Sequence, residues 1–349
     1  MLCPFAPRPI SLSAYGIGPL WPCLAKRRKR ESRRTMRSCR WPWTQQRRRT
    51  QPMTAAPMDR IGIIGAGRVA QALALGLAPH ASAPPMLWAR SSERLQTALA
   101  NASTGAAAPS MTALVRESDV VAIAVSDDAM EAVAAEVAAA LPAKPPRLIF
   151  HVSGRSGVSL LADAAAKGAL TAAIHPAMTF TGNPVAEVQR MSGACFAITG
   201  SAPAATVQAR RLVAWLGGAA IEIPEQHRPL YHAALCHAAN HLVTLIAGAS
   251  HALERAGVEH PGALLAPLVR AALDNSLSDG FAALSGPLLR GDAQTIEGHR
   301  DAIASDCPRL LPAYDAMAAA TLDELARQGV SGERSALHEL LVSPPFASR

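Results

Sequence analysis

The sequence predicts an α/β domain built on a mostly parallel sheet, followed by an all-α C-terminal domain, and three observations carry that reading. A glycine turn, IGIIGAGRVA (Ile61 to Ala70), joins a short apolar strand to an Ala/Leu-rich helical pattern. Strand-like and helix-like segments then alternate to about residue 224, as in a doubly wound sheet. From Glu225 the texture changes to long helical patterns with little strand signal. The expected domains are therefore 58–224 and 225–345, preceded by a leader, 1–57.

The leader accounts for the basic balance of the chain. Residues 1–57 hold 13 of the 34 Lys+Arg and one of the 26 Asp+Glu, leaving 21 basic against 25 acidic residues from Met58 onward. Eight prolines and no apolar periodicity leave this stretch unable to pack a core, so disorder is expected. Its Arg-rich run fits a nucleic-acid or anionic-membrane arm, or a transit peptide. The favoured expectation is plainer: translation starts at Met58, whose next residues open a strand at once, and the folded body binds no nucleic acid.

In the body, no apolar run reaches the roughly 18 residues of a membrane span, so no membrane association is expected. Cys195, Cys236 and Cys307 are scattered without CxxC spacing, which implies neither a disulfide framework nor a zinc site and points to a reducing compartment, the cytoplasm.

Each element of the first domain follows from its pattern. In GAGRVA, Gly65 permits the tight turn, Gly67 lets the backbone approach a pyrophosphate, and Ala70 keeps helix and strand close. The free N–H groups of Ala66, Arg68 and Val69 at the helix start would face the phosphates. This is the dinucleotide-binding turn of a Rossmann domain. The second strand, MLWARSSER, ends at Arg90 and Ser91, with Arg94 one helical step on, where NAD-binding folds usually place a carboxylate on the ribose. An Arg and hydroxyls suit a 2′-phosphate, so NADP is expected over NAD. The third unit, DVVAIAVSDDAMEAVAAEVAAAL, brings Val125 and Ser126 to the tip beside the cofactor. RLIFHVSGRSG presents Ser153, and ALTAAIHPAMTF ends a strand at His175. GACFAITG and AAIEIP complete the sheet, and all strand ends are expected to converge on one rim.

In the second domain, HRPLYHAALCHAANHLVTLIAGASHALERAG and HPGALLAPLVRAALDNSLSDG each end at a Gly stop. LSGPLLRGDAQTIEGHRDAIA is a polar loop feeding a helix, and PAYDAMAAATLDELARQG and GERSALHELLV close the chain.

Taken together, GAGRVAQAL, SGRSG, IHPAMTF, AALCHAANHLVTL and LSGPLLRGDAQTIEGH resemble the bacterial Rossmann-like proteins that carry the C-terminal domain of unknown function 2520. These belong to the 6-phosphogluconate-dehydrogenase-like superfamily, and the layout is distantly similar to pyrroline-5-carboxylate reductase and the β-hydroxyacid dehydrogenases. The resemblance implies NADP-type binding and helices that close over the nicotinamide and often dimerise, hence a homodimer. Cofactor F420 is a less favoured substitute, since a deazaflavin-reducing relative shares the Rossmann half.

The candidate chemistry has competing plain readings. In the β-hydroxyacid dehydrogenases a Lys and an Asn on the first long helix face substrate and nicotinamide. Here Asn240 remains and no Lys is near, while His237 lies at i−3 and His232 further back. Histidine titrates near neutrality and would supply the proton that Lys gives elsewhere; the alternative is that His237 and His241 are ordinary helix histidines. His175 orients or protonates a substrate oxygen, or bonds to loop backbone ahead of Pro176. Ser153 holds the carboxamide or a substrate carboxylate, or caps the next helix. Ser285, Gly286, Arg290 and Asp292 sit like the SPGGT loop of pyrroline-5-carboxylate reductase and would bind an anionic substrate. Alternatively Asp292 caps the following helix or pairs with Arg290.

The reading is an NADP-dependent oxidoreductase that moves hydride to or from a C=O or C=N carbon of a small, anionic substrate. Its rival is a non-catalytic NADP(H)-binding regulator, favoured by the missing Lys.

Overall fold

The computed structural model describes residues 59–330 and 334–342. The leader and the assignment of Met58 as the start lie outside the described residues.

The α/β part runs β1 (Ile61–Ile64), α1 (Arg68–Leu77), β2 (Met86–Trp88), α2 (Ser92–Ala102), β3 (Ala106–Ala107), α3 (Met111–Glu117), β4 (Val120–Ile123), α4 (Met130–Ala140), β5 (Leu148–His151), α5 (Ala162–Ala166), β6 (Thr171–Pro176), α6 (Pro184–Met191), β7 (Cys195–Gly200), α7 (Pro203–Trp215) and β8 (Ala219–Glu222). The strands form one sheet in the order β3-β2-β1-β4-β5-β6-β7-β8. The chain leaves β1 toward β2 and β3, then returns to place β4 on the other side of β1, so the order reverses between β1 and β4. That reversal opens a crevice at the carboxyl ends of the two strands.

Alternation along the strands explains why both faces are covered. Ile61, Ile63, Val120, Ala122, Leu148, Phe150, Ala172 and Ile174 pack with α1, α6 and α7 on one side. Ile64, Val121, Ile123 and Ile149 pack with α3, α4 and α5 on the other. Strands buried on both faces read as the continuous apolar runs seen in the sequence.

Two expectations need correction. The β3 edge strand was not foreseen, because a two-residue Ala-Ala strand carries no apolar alternation. The strand ends also do not all share one rim. β7 pairs antiparallel with β6 through Ala173↔Thr199 and His175↔Ala197, and β8 runs parallel to β7. The cause is local: α6 packs against α1, and the chain re-enters the sheet at the rim it has just left, with the Ala177 N–H donating to the Cys195 carbonyl at 2.9 Å. The carboxyl ends of β7 and β8 therefore lie at the opposite rim.

Among the described residues six α-helices follow: α8 (Arg228–Arg255), α9 (Pro261–Asp279), α10 (Pro287–Arg290), α11 (Ala293–Asp306), α12 (Leu311–Arg327) and α13 (Ser335–Val342). Ile296, Leu322, Leu325 and Leu337 form a separate small core among α11, α12 and α13. In contrast, α8 and α9 carry large exposed apolar side chains: Leu230 is 74% exposed, Val243 70%, Leu268 62% and Leu277 73%. Within Glu225–Arg255 an 18-residue stretch has mean hydropathy 1.2, so this helical segment is long and apolar enough to cross a membrane by length and composition. The search for an unbroken apolar run missed it, because His232, His237, Asn240 and His241 interrupt the run without lowering the mean enough.

Candidate functional site

The glycine turn sets the floor of the crevice. Gly65 has φ +130°, and a Cβ there would collide with the Ala124 carbonyl oxygen at the end of β4, so this position requires glycine. Its N–H donates to the Trp88 carbonyl at 2.8 Å, tying the turn to the tip of β2. Gly67 is the N-cap of α1 and brings no side-chain cap to the helix start. A Cβ on Gly67 would meet nothing within 4 Å; the space over the first turn of α1 is open. The turn is braced from below by buried Gln71, whose Nε2 donates to the Ala66 carbonyl at 3.1 Å.

A cleft of about 530 Å³ spreads from this turn. All nine residues expected at the cofactor line it: Gly65, Ala66, Gly67, Arg68, Val69, Arg90, Ser91, Val125 and Ser126. Arg94 joins Arg90 and Ser91 at the β2 end, and Val152 and Phe180 close the other. The Ser91 hydroxyl oxygen caps α2 by accepting from the Arg94 N–H at 3.2 Å. A hydrogen bond from Ser126 holds the exposed Asp128 carboxyl below the usual carboxylate range. Arg68 donates from its guanidinium to the Phe180 carbonyl at 3.0 Å, joining the glycine turn to the loop after β6. That loop is fixed in turn by wholly buried Glu187, which accepts from the N–H groups of Thr181 (2.5 Å) and Gly182 (2.7 Å).

At the ends of β5 and β6 lies a second group of side chains, assembled with the first turn of α8. His175 and Tyr231 share a hydrogen bond of 2.9 Å between Nδ1 and Oη. The His232 ring meets the His175 ring edge-on at 5.9 Å. Gly154 allows this approach, since a Cβ would lie 2.5 Å from His232 Cδ2 and 2.9 Å from His175 Nε2. Arg228 is wholly buried and donates to Thr199 Oγ1 and to the Ser153 carbonyl, both at 2.9 Å. Among the described residues no carboxylate lies within ion-pair distance of it.

The electrostatics follow from that burial. Desolvation first, then the Arg228 charge and His232, lower the His175 pKa to about 4. His151 falls to about 4, chiefly by desolvation, and the Tyr231 phenol is pushed up to about 12 by the same cause. At neutral pH the group is an uncharged imidazole beside an intact phenol.

The other expected residues divide by position. Buried Ser153 serves its own turn: its N–H donates to His151 Nδ1 (3.2 Å) and its hydroxyl accepts from the Ser156 N–H (3.3 Å). This is local capping, and Ser153 does not line the cleft. Asn240 and His237 are exposed on α8 beyond the docked first turn. Ser285, Gly286 and Arg290 flank α10, and Asp292 caps α11 through the N–H and hydroxyl of Thr295; none of the four lines the cleft in the same chain. Thr179 is exposed on the loop after β6. Sequence reasoning missed Tyr231 and Arg228. The available signal was an Arg-Pro pair opening a long helix, followed after one Leu by Tyr and His.

A Rossmann sheet with an open glycine turn at its switch point defines a dinucleotide-binding class of protein, and the family comparisons agree. Residues 47–176 match a Rossmann-like domain and residues 194–321 match a domain of unknown function (DUF2520). The chain belongs to the Rossmann-like proteins that carry the DUF2520 domain. None of the curated proteins matches it in sequence. Solved structures share its fold. One is a Bacteroides fragilis protein described as an NADP oxidoreductase (17% identity, TM-score 0.62, 76% of this chain and 98% of that one). Another is an imine reductase from Myxococcus stipitatus in complex with NADP+ (18%, 0.56, 81% and 100%). A third is a 1-pyrroline-5-carboxylate reductase from Streptococcus pyogenes (18%, 0.51, 81% and 96%).

Proposed function

We propose that this protein is a cytoplasmic NADP-dependent oxidoreductase acting on a C=O or C=N carbon of a small, anionic substrate. The observation that carries the reading is the cleft itself: a helix start without a side-chain cap, open space over Gly67, and two arginines at the ribose end. Gly65 to Val69 would hold the pyrophosphate with backbone N–H groups. Arg90, Arg94 and the Ser91 hydroxyl proton would hold a 2′-phosphate, and Val125, Val152 and Phe180 would exclude water around the nicotinamide. When bound, the nicotinamide supplies a hydride donor or acceptor. The structures described as an NADP oxidoreductase and as an imine reductase in complex with NADP+ support this choice of cofactor.

His175 and Tyr231 supply the proton chemistry that a Lys gives in the dehydrogenases. The His175 Nδ1–H donates to Tyr231 Oη, leaving the phenol O–H to point at the substrate heteroatom. As Tyr231 Oη gives up its proton, the His175 N–H and the buried Arg228 charge stabilise the phenolate. In this reading Tyr231 takes the place of the missing Lys.

The substrate pocket is completed by a second copy of the chain. Large exposed apolar side chains are concentrated on α8 and α9, as suits a subunit interface, and α8 starts with a buried arginine locked into the α/β part. That anchoring favours a subunit interface over a membrane span. In this reading Asn240, His237 and the Ser285, Gly286, Arg290 and Asp292 loop reach the partner's cleft, and Arg290 receives the substrate anion.

The test is calorimetric titration of the protein with NADPH and NADH, beside Arg90→Ala. The expected result is NADPH binding that weakens by about 1–3 kcal/mol in the variant, the usual loss of a charge-assisted hydrogen bond. Absence of binding to either nucleotide would sink the dehydrogenase reading.

A further inference from the structure

His237 and His241 stand one helical turn apart on α8, both exposed, with their Nδ1 atoms 3.0 Å apart and their rings edge-to-face at 4.9 Å. We propose that this pair is a divalent transition-metal chelate, taking Ni²⁺, Cu²⁺ or Zn²⁺ through the two imidazole nitrogens. It draws on His237, which the oxidoreductase reading brings to the partner's cleft, but metal titration reads the pair without cofactor or turnover.

The geometry fits. With metal–nitrogen bonds of about 2.0–2.1 Å, two donors at that separation subtend about 95° at the ion, between the octahedral and tetrahedral values. The helix fixes the spacing in advance, because residues i and i+4 lie one above the other on one face. Imidazole is the ligand these borderline ions prefer. The surroundings leave the pair free to bind. From Pro229 to Leu253 the chain contains no Asp, Glu, Lys or Arg; no helix neighbour supplies a cation to repel the ion or a carboxylate to compete for the rings. In the free protein, one Nδ1–H donates to the other ring's Nδ1. Metal binding shifts that ring's proton from Nδ1 to Nε2 and replaces the hydrogen bond with two coordinate bonds, water filling the remaining positions.

The spacing is also that of the H-E-x-x-H helix, in which two histidines ligate and the Glu serves as base. Here Ala238 occupies the Glu position. The site therefore chelates and carries no hydrolytic chemistry. It differs from the His175 group, whose rings are packed against Tyr231 and Gly154.

The experiment is calorimetric titration of Ni²⁺ alone into the untagged full chain at neutral pH, with His237→Ala, His241→Ala and, as a control elsewhere, His260→Ala. The expected result is one ion per chain, with affinity falling roughly tenfold or more in each of the first two variants and unchanged in the third. All three positions are exposed, so the substitutions leave the core intact. No binding to the wild-type chain, binding that survives either His237→Ala or His241→Ala, or equal loss in His260→Ala would each overturn the proposal.

Discussion

Lowering the pH from 7 to 5 should destabilise the protein by up to about 4 kcal/mol through two histidines alone. His151 and His175 have folded pKa values near 4 against 6.5 in an ordinary environment. Because the folded values are depressed, their contribution to stability is fully present above pH 6.5 and is lost as the pH falls toward 4. In that window the unfolded chain binds protons that the folded chain refuses. For one such group the loss at pH 5 is about 2 kcal/mol, hence about 4 for the pair. Most carboxylates remain ionised down to pH 5, so they contribute little slope there. The assay is urea unfolding followed by circular dichroism at a series of pH values between 5 and 8. His151→Gln and His175→Gln should each remove about half of the slope. A midpoint that moves by less than the equivalent of about 1 kcal/mol across this range would show that neither ring is buried uncharged, and would remove the basis for a neutral His175–Tyr231 pair.

Three further predictions follow from the same geometry. Gly65→Ala should cost about 1–3 kcal/mol of stability, from the φ of +130° and the clash with Ala124, and should abolish NADPH binding measured by fluorescence. Tyr231→Phe should leave NADPH affinity unchanged and lower kcat by about 10²- to 10⁴-fold, the range for a lost proton donor; full activity would clear Tyr231 of that role. Val243→Glu with Leu268→Glu should convert a dimer to monomers in sedimentation velocity while leaving the far-ultraviolet spectrum of the α/β part intact.

The α/β half was legible in the sequence because its physics is local. Gly65, the β-branched strand before it and the Ala/Leu helix after it each restrict the backbone within a few residues, and their order locates the cleft. Arg90 and Ser91 were legible for the same reason, as the tip of the next strand. The reversal at β7 was not legible, since it depends on α6 packing on α1. Nor was the His175 group. Tyr231 lies 56 positions from His175 in sequence, and no pattern in either segment encodes that meeting. Arg228 was hidden by a general preference: a charged residue at a helix start reads as solvated, whereas here it is the largest wholly buried side chain among the described residues. Asp292 is a case of a different kind. Its two readings, anion loop and helix cap, were both open in the sequence, and within its own chain the side chain caps α11.

Arg228 also explains how one helix serves two regions of the molecule. Burying a guanidinium without a contacting carboxylate is costly, and its hydrogen bonds to Thr199 and Ser153 offset only part of that cost. Those two partners belong to β7 and to the turn after β5, so the same contacts fix the direction in which α8 leaves the sheet. With the first turn held, Tyr231 is delivered to His175 by the helical repeat alone. Beyond it, α8 extends over about 40 Å at 1.5 Å per residue, and its exposed apolar residues are carried clear of the sheet. A helix anchored by packing of apolar side chains would tolerate small rotations; one anchored by a buried, directional cation does not. The orientation of the proposed proton donor and the placement of the proposed subunit face thus depend on the same side chain.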